Sequence, residues 1–251
     1  MAKFAPVAPA YIVERLPVAT MGSYHLLLAH DVVKQPDVYS RVYNHFGMTT
    51  IMDNSVVELG EAVNPDIIKE AVHITGVSTI VLPDVLRNCD KTIDSIFEAH
   101  PIWLKFFERQ LGIGREWGFM YVPQGLSIEE FVRCAEASLE LDRVNFWGIP
   151  RNLVREIGTR ERAIYVCRAL APERRIHLLG FSDDIIDDVY CCRIRGVEGI
   201  DSAVPLRLAS LGLPMSMFVK TPPRGDWWDH AQYLPSMAAN IETFRRWIRP
   251  Q

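Results

Sequence analysis

Acids, an amide and glycines stand where short apolar runs of the sequence end, and such side chains do nucleophilic and acid–base chemistry. The positions are Asp53, Asp84, Gln124, Gly148, Gly180 and Asp201. Aspartate is a favoured helix N-cap, so each acid alone has a structural interpretation. Asp201, however, is followed by residues typical of a strand, and Asn64 is a better cap candidate than Asp53. Asp90 is likewise a better candidate than Asp84, so we expect another role for these three acids.

Three carboxylates in one pocket suit substitution at a glycosidic carbon. In the retaining reaction one carboxylate attacks the sugar and holds a covalent intermediate, while a second moves the proton of the leaving and entering groups. A third carboxylate can accept N–H bonds from the edge of a planar base, and an amide such as Gln124 both donates and accepts. The expected chemistry needs no metal and no cofactor.

Short apolar runs alternate with amphipathic stretches along the chain. Continuous apolar runs suit strands buried on both faces, and strand–helix units of roughly 25–30 residues indicate a parallel sheet. Met215–Lys220 is the candidate for an eighth strand, and Gln232–Ile248 predicts a closing helix. The other seven predicted strands are Tyr24–His30, Thr49–Asp53, Thr79–Asp84, Gly118–Gln124, Arg143–Ile149, Arg175–Gly180 and Gly199–Val204.

Several helices have readable beginnings. Asn64 precedes a proline at the first helical position, and Ser127 opens a capping box with Glu130. Asp184 is predicted to cap the helix that follows it, and Asp90 is a candidate cap for another helix, which Pro101 should break or kink.

These elements predict a TIM-type (β/α)₈ barrel, with residues 1–251 in a single domain that a C-terminal helix closes. The carboxyl ends of all barrel strands meet at one mouth, which would bring the polar residues together. A doubly wound open sheet is the alternative, but its GxGxxG fingerprint is absent after the first predicted strand.

Composition limits the classes of partner and compartment. The formal net charge of −4 argues against a nucleic-acid partner, because such proteins are usually basic. The five cysteines show no zinc-ligand spacing, and their odd number indicates reduced thiols. Neither a signal peptide nor a membrane-spanning apolar run is visible, so we expect a soluble cytoplasmic protein.

The strand-end segments, in order, resemble those of the tRNA-guanine transglycosylases (queuine and archaeosine tRNA-ribosyltransferases). The resemblance is closer to the short phage and bacterial relatives that put 7-deazaguanines into DNA, and it spans Leu26–Leu208. MDNSVVE at Met52–Glu58 is similar to the family's Asp-Ser-Gly-Gly-aromatic-Gln, and GIDSAVPLR at Gly199–Arg207 to its Phe-Asp-Cys-Val-x-Pro-Thr-Arg. The other matching segments are LPDV at Leu82–Val85, YVPQG at Tyr121–Gly125, FWGIP at Phe146–Pro150 and HLLGFS at His177–Ser182.

The resemblance implies a role for each matched residue. Asp201 would be the nucleophile and Asp53 the proton-transferring acid. Arg207 is a candidate phosphate contact by the resemblance, and Arg151 by its place after the fifth of the seven predicted strands. The residues implied to bind the base are Asp84, Gln124, Gly148 and Ile149 through their polar or backbone groups, Leu179 by packing on its face, and Gly180 by allowing close approach.

Departures from the family's pattern bear on the substrate. Ser55-Val56 replaces the glycine pair, Val57 the aromatic residue and Glu58 the glutamine, which changes the surface against which the base would stack. The zinc subdomain of the tRNA enzymes is missing from this sequence, which favours DNA over tRNA. The expected reaction exchanges guanine for a 7-deazaguanine such as preQ0, whereas the oligomeric state is not predicted.

Several alternatives remain open at this point. tRNA is the alternative polymer, and a hydrolase would resolve the same Asp201 intermediate with water. A non-catalytic nucleobase-binding barrel subunit would use the same pocket without turnover. An unrelated barrel enzyme would need a strand-end lysine or a glycine-rich phosphate loop, and neither is visible. Trp227 and Trp228 have two interpretations, stacking on a base or packing against the barrel floor, and Arg224 is a further candidate phosphate contact.

Overall fold

The structure is a computed structural model that describes residues 1–43, 49–110, 117–218 and 227–249. Within these residues, eight parallel strands form one sheet in the order β1-β8-β7-β6-β5-β4-β3-β2. The two edge strands, β1 and β2, lie against each other, so the sheet nearly closes into a barrel. The strands are β1 Lys3–Pro6, β2 Tyr24–Leu28, β3 Thr49–Asp53, β4 Thr79–Val81, β5 Gly118–Tyr121, β6 Val144–Pro150, β7 Arg175–Leu179 and β8 Val197–Ser202.

Helices connect successive strands, as the predicted (β/α)₈ barrel requires, and this fold prediction is confirmed. In the described part of the chain no helix is both long and apolar enough to cross a membrane. The helices are α1 Ala10–Val13, α2 Val18–Met21, α3 Ala29–Lys34, α4 Pro36–Tyr43, α5 Val56–Leu59, α6 Pro65–Thr75, α7 Cys89–Gln110, α8 Ile128–Ala137, α9 Leu153–Ile157, α10 Arg160–Leu170, α11 Ile185–Cys192, α12 Val204–Ser210, α13 Trp227–His230 and α14 Pro235–Ile248.

One predicted strand is wrong. Met215–Phe218 is irregular, and the last two residues of the proposed Met215–Lys220 strand lie outside the described residues. The remaining strand is instead Lys3–Pro6, which pairs with β8 so that Ala5 lies beside Asp201. A four-residue strand that ends in proline carries little periodic signal. The other seven strands occur where they were predicted, with ends that differ by a few residues.

The predicted helix beginnings have mixed outcomes. The side chains of Asn64, Ser127 and Asp184 each accept a backbone N–H from the first turn of the following helix, as predicted. Asn88, rather than Asp90, accepts the Lys91 N–H at the beginning of α7. Pro101 does not end that helix, which continues to Gln110.

Two apolar layers hold the barrel together and give the site a floor. The outer layer packs the helices against the sheet, and α14 lies against α12 and β1. The inner layer fills the barrel with side chains that alternate along the strands, such as Leu26 and Leu28 of β2 and Phe146 of β6. Because this interior is filled, the carboxyl ends of the strands border a cavity above a packed floor.

Candidate active site

A cavity of about 870 Å³ opens at the carboxyl ends of the strands. Its volume lies within the range of about 300–1,000 Å³ that is typical of small-molecule pockets. The structure therefore brings together most of the residues that the sequence singled out. Those lining the cavity are Asp53, Asp84, Gln124, Leu179, Gly180, Asp201, Arg151 and Arg207.

Asp53 lies at the end of β3, where the chain turns sharply into α5. Ser55 adopts a left-handed conformation, with φ of 62°, and its N–H donates to Asp53 Oδ2 over 2.8 Å. Burial is the main cause that raises the pKa of Asp53 well above its ordinary value, and the nearby charges of Glu58, Asp84 and Asp201 raise it further. This carboxyl therefore holds a proton more readily than an ordinary aspartate, as a proton carrier must.

Asp84 is held between two side-chain amides. Asn54 Nδ2 donates to its Oδ1 over 2.8 Å, and Gln124 Nε2 donates to its Oδ2 over 2.7 Å. The Arg87 N–H donates to Gln124 Oε1 over 2.9 Å, which fixes the orientation of that amide. Burial raises the pKa of Asp84 to about 6, although the two amide bonds oppose this rise. The result is a rigid acceptor on the cavity wall.

Asn54 was not foreseen as part of the site. Its amide also donates to the Leu82 carbonyl, and its Oδ1 accepts the Val56 N–H, so one buried side chain joins the ends of β3 and β4 to α5. Its place directly after Asp53 is the only hint that the sequence contains.

Asp201 lies near the end of β8 and is 8% exposed. Its Oδ1 contacts His177 Nε2 at 2.9 Å and accepts the Gly180 N–H over 3.0 Å. None of the three acids caps a helix, which removes the structural interpretation that the sequence left open.

His177 connects Asp201 to the barrel interior. It is fully buried, and its Nδ1 contacts the Tyr24 hydroxyl at 2.7 Å. A Cβ at Gly199 would lie 2.3 Å from the Tyr24 ring, so a glycine there makes room for this contact. Side chains alternate between the two faces of β7, so His177 lies on the same face as Leu179 and points into the barrel. This alternation is the signal in the sequence that could have placed it there.

Gly148 and Ile149 do not line the cavity. A Cβ at Gly148 would lie 2.8 Å from Val122 and 3.0 Å from Leu179, so this glycine lets the cavity floor pack closely. Ile149 faces the helices, and its carbonyl accepts a hydrogen bond from Arg160. Leu179 itself is partly exposed at the cavity wall.

The cavity is strongly acidic. Arg151 is exposed beside Gly180, whereas Arg207 in α12 is 9% exposed. Trp227 and Trp228 both line the cavity and are half-buried, and Trp228 packs against the inner apolar layer, whereas Arg224 is outside the described residues. Against the two arginines, the described lining contains seven carboxylates: Asp53, Glu58, Asp84, Asp183, Asp184, Asp187 and Asp201.

The arrangement combines a hydrogen-bonded carboxylate, a proton-holding carboxyl and a rigid acceptor, which suits substitution at a glycosidic carbon. In the described part of the chain, no three His, Cys, Asp or Glu side chains form a group that could hold a metal ion. No protein-family model matches the chain, and no curated protein matches it either.

Proposed function

We propose that the chain is a guanine transglycosylase that exchanges guanine in DNA for a 7-deazaguanine such as preQ0. The observation that carries this proposal is the convergence of Asp53, Asp84 and Asp201 on one cavity, each in a different environment. Differences of this kind between carboxyl groups separate the roles of nucleophile and acid. The resemblance of the strand-end segments to the guanine transglycosylases supports the same assignment.

In the first half-reaction Asp201 attacks C1′ of the target nucleotide, and guanine leaves with its bond electrons on N9. Asp53 donates a proton to the departing base, which its raised pKa favours. A base inside a duplex must be flipped out to reach such a cavity, whereas a single strand needs no flipping. The product of this step is a glycosyl ester on Asp201.

Asp84 is the group best placed to recognise the base. Each carboxylate oxygen can accept two hydrogen bonds and uses one on an amide, so it can also accept from the N1–H and the exocyclic amine of guanine. Gln124 uses both ends of its amide within the protein, and it therefore acts chiefly by orienting Asp84. Leu179 offers an apolar surface to the base face.

In the second half-reaction a 7-deazaguanine enters the same pocket, gives its N9 proton to Asp53 and displaces Asp201 from C1′. Guanine and the 7-deazaguanines share the edge that Asp84 reads, so one set of contacts serves both half-reactions. The kinetics should be ping-pong, because the first base leaves before the second enters.

DNA is the polymer that we favour, with tRNA as the alternative. Arg151 stands exposed at the mouth, where it can meet a phosphate, whereas Arg207 is mostly buried. The excess of acidic side chains around the cavity repels a polyanion, so we expect binding to involve few phosphates and therefore to weaken only slightly with added salt.

Radiolabelled guanine tests the proposal. The protein is incubated with guanine-containing DNA, and separately with tRNA, and the label in each polymer is counted, with Asp201→Ala alongside. Label that enters DNA only with the wild-type chain supports the proposal. Label in tRNA alone would retain the chemistry and overturn the choice of DNA, and no label in either polymer would overturn the transferase assignment.

A purine-binding barrel without turnover is the second candidate, and the acidity of the cavity favours it. Seven carboxylates against two arginines suit a neutral or cationic base better than a polyanion. Calorimetric titration of guanine in the absence of nucleic acid, combined with the labelling experiment, distinguishes the two functions. Binding of guanine together with no label in either polymer would favour the binding protein.

A further inference from the structure

A chain of three buried polar side chains crosses the barrel interior and ends at the proposed nucleophile. The Tyr24 hydroxyl lies 2.7 Å from His177 Nδ1, and His177 Nε2 lies 2.9 Å from Asp201 Oδ1. Tyr24 and His177 are 1% and 0% exposed, among apolar neighbours such as Phe146 and Leu26. Polar groups buried in this way are costly unless they are hydrogen-bonded, and both nitrogens of the imidazole have partners.

The chemistry of the two end groups, Tyr24 and Asp201, decides the direction of the hydrogen bonds. An ionised Asp201 can only accept, so His177 carries its hydrogen on Nε2 and donates to Oδ1. The bare Nδ1 then accepts from the Tyr24 O–H. Burial raises the pKa of Tyr24 well above its ordinary value, which keeps this hydroxyl protonated. A single tautomer of His177 therefore satisfies both of its hydrogen bonds, with Tyr24 and with Asp201.

Both described hydrogen bonds to the Asp201 carboxylate fall on the same oxygen. The Gly180 N–H donates to Oδ1 over 3.0 Å, from a glycine with φ of +68° that follows β7 directly. His177 precedes it by three residues and lies within β7. Strand β7 and the glycine directly after it thus supply two donors to Oδ1, and Oδ2 is the oxygen that can bond to a sugar.

We propose that His177, held by Tyr24, is a positioning residue that selects Asp201 Oδ2 as the attacking atom and speeds the departure of Asp201 in the second half-reaction. This inference rests on the proposed transglycosylase function. When the N9 lone pair of the entering base bonds to C1′, the C1′–Oδ2 bond breaks and its electron pair returns to the carboxylate. The charge that develops is shared with Oδ1, where the His177 donor becomes stronger.

The inference predicts that the covalent intermediate accumulates when the His177 donor is lost. In His177→Phe we expect exchange to fall about 10- to 100-fold, as for loss of a hydrogen bond to a charged group. The fraction of protein that is covalently joined to DNA at steady state should rise, because departure of Asp201 slows. A merely structural role would lower exchange and adduct together.

Matched variants separate positioning from packing. His177→Gln keeps an N–H donor near the original nitrogen and should recover part of the exchange. Tyr24→Phe removes only the hydroxyl. It should raise the adduct fraction, as His177→Phe does, and lower exchange by about 2- to 10-fold. His25→Phe replaces another buried histidine, which packs against Tyr43 outside the barrel interior, and should behave like the wild type.

The experiment measures guanine exchange and, after a rapid denaturing quench, the DNA-linked fraction of each variant. Higher adduct with lower exchange in His177→Phe supports the inference, and Tyr24→Phe provides the same test if His177→Phe does not fold. If the wild type exchanges guanine but the adduct fraction is unchanged or lower in the folded variants, the inference is overturned. No exchange by the wild type would overturn the proposed function itself.

Discussion

Asp84 should make the folded protein lose stability as the pH rises. Burial raises the pKa of its carboxyl from an ordinary value of 3.8 to about 6, so the folded state binds this proton more tightly than the unfolded state. The favourable contribution of this carboxyl to the free energy of unfolding is present below pH 4 and disappears as the pH rises through about 6. At 1.36 kcal/mol for each pH unit, the loss attributable to this carboxyl is about 3 kcal/mol.

Asp84→Asn isolates that contribution. The new amide must face either Asn54 or Gln124 with a donor, and Gln124 cannot turn round without releasing the Arg87 N–H. One buried donor without an acceptor costs about 1–3 kcal/mol. At pH 4 the variant should therefore be less stable than the wild type by about that amount. By pH 7 the difference between variant and wild type should shift by about 3 kcal/mol in favour of the variant.

Urea unfolding at several pH values measures the difference. Asp94→Asn makes the same chemical change on the exposed surface of α7 and is the matched control. Asp84→Asn should also weaken guanine binding about 10- to 100-fold, since it removes a charged acceptor. If the free energy of unfolding of Asp84→Asn and of the wild type varied with pH in parallel, this account of Asp84 would be refuted.

Three further predictions concern the surroundings of the cavity. Gly180→Ala should lower the free energy of unfolding by about 1–2 kcal/mol, because φ at this position is +68°. Gly212→Ala, at φ of +72°, should lower it by the same amount, but only Gly180→Ala should also lower guanine exchange. Arg160→Met leaves Asp188 buried without its ion pair, so urea unfolding should show a loss of about 3–5 kcal/mol; a loss below about 1 kcal/mol would contradict this. Trp228→Ala should weaken guanine binding in calorimetry by about 1–3 kcal/mol if the indole stacks on the base, and an unchanged affinity would exclude stacking.

The acids of the site were predictable because of where they stand in the chain. Parallel strands of a barrel carry their carboxyl ends to the same mouth, so a polar residue that follows a buried strand is placed there without knowledge of side-chain contacts. Asp53, Asp84, Gln124 and Asp201 all obey this rule. The same rule does not say which residues lie deeper, and Gly148 accordingly lies below the cavity instead of on its wall.

The contacts between strands were not predictable, because they depend on register. The pairing of β7 with β8 shifts between Ile176 and His177, and such a bulge redirects the side chains around it. Nothing in the sequence places that shift, so the contact of His177 with Asp201 had no signal beyond strand alternation. Strand β1 was missed for a different reason, since Lys3–Pro6 is too short to show a period.

Covalent capture of DNA on Asp201 tests the central claim most directly. Guanine-containing DNA is mixed with the wild type or with Asp201→Asn, which retains an oxygen for the His177 and Gly180 donors, and the reaction is quenched in denaturant. The account predicts a denaturant-resistant protein–DNA adduct with the wild type only, and its disappearance when free guanine is added before the quench. Exchange without an adduct, or an adduct that persists in Asp201→Asn, would contradict the account.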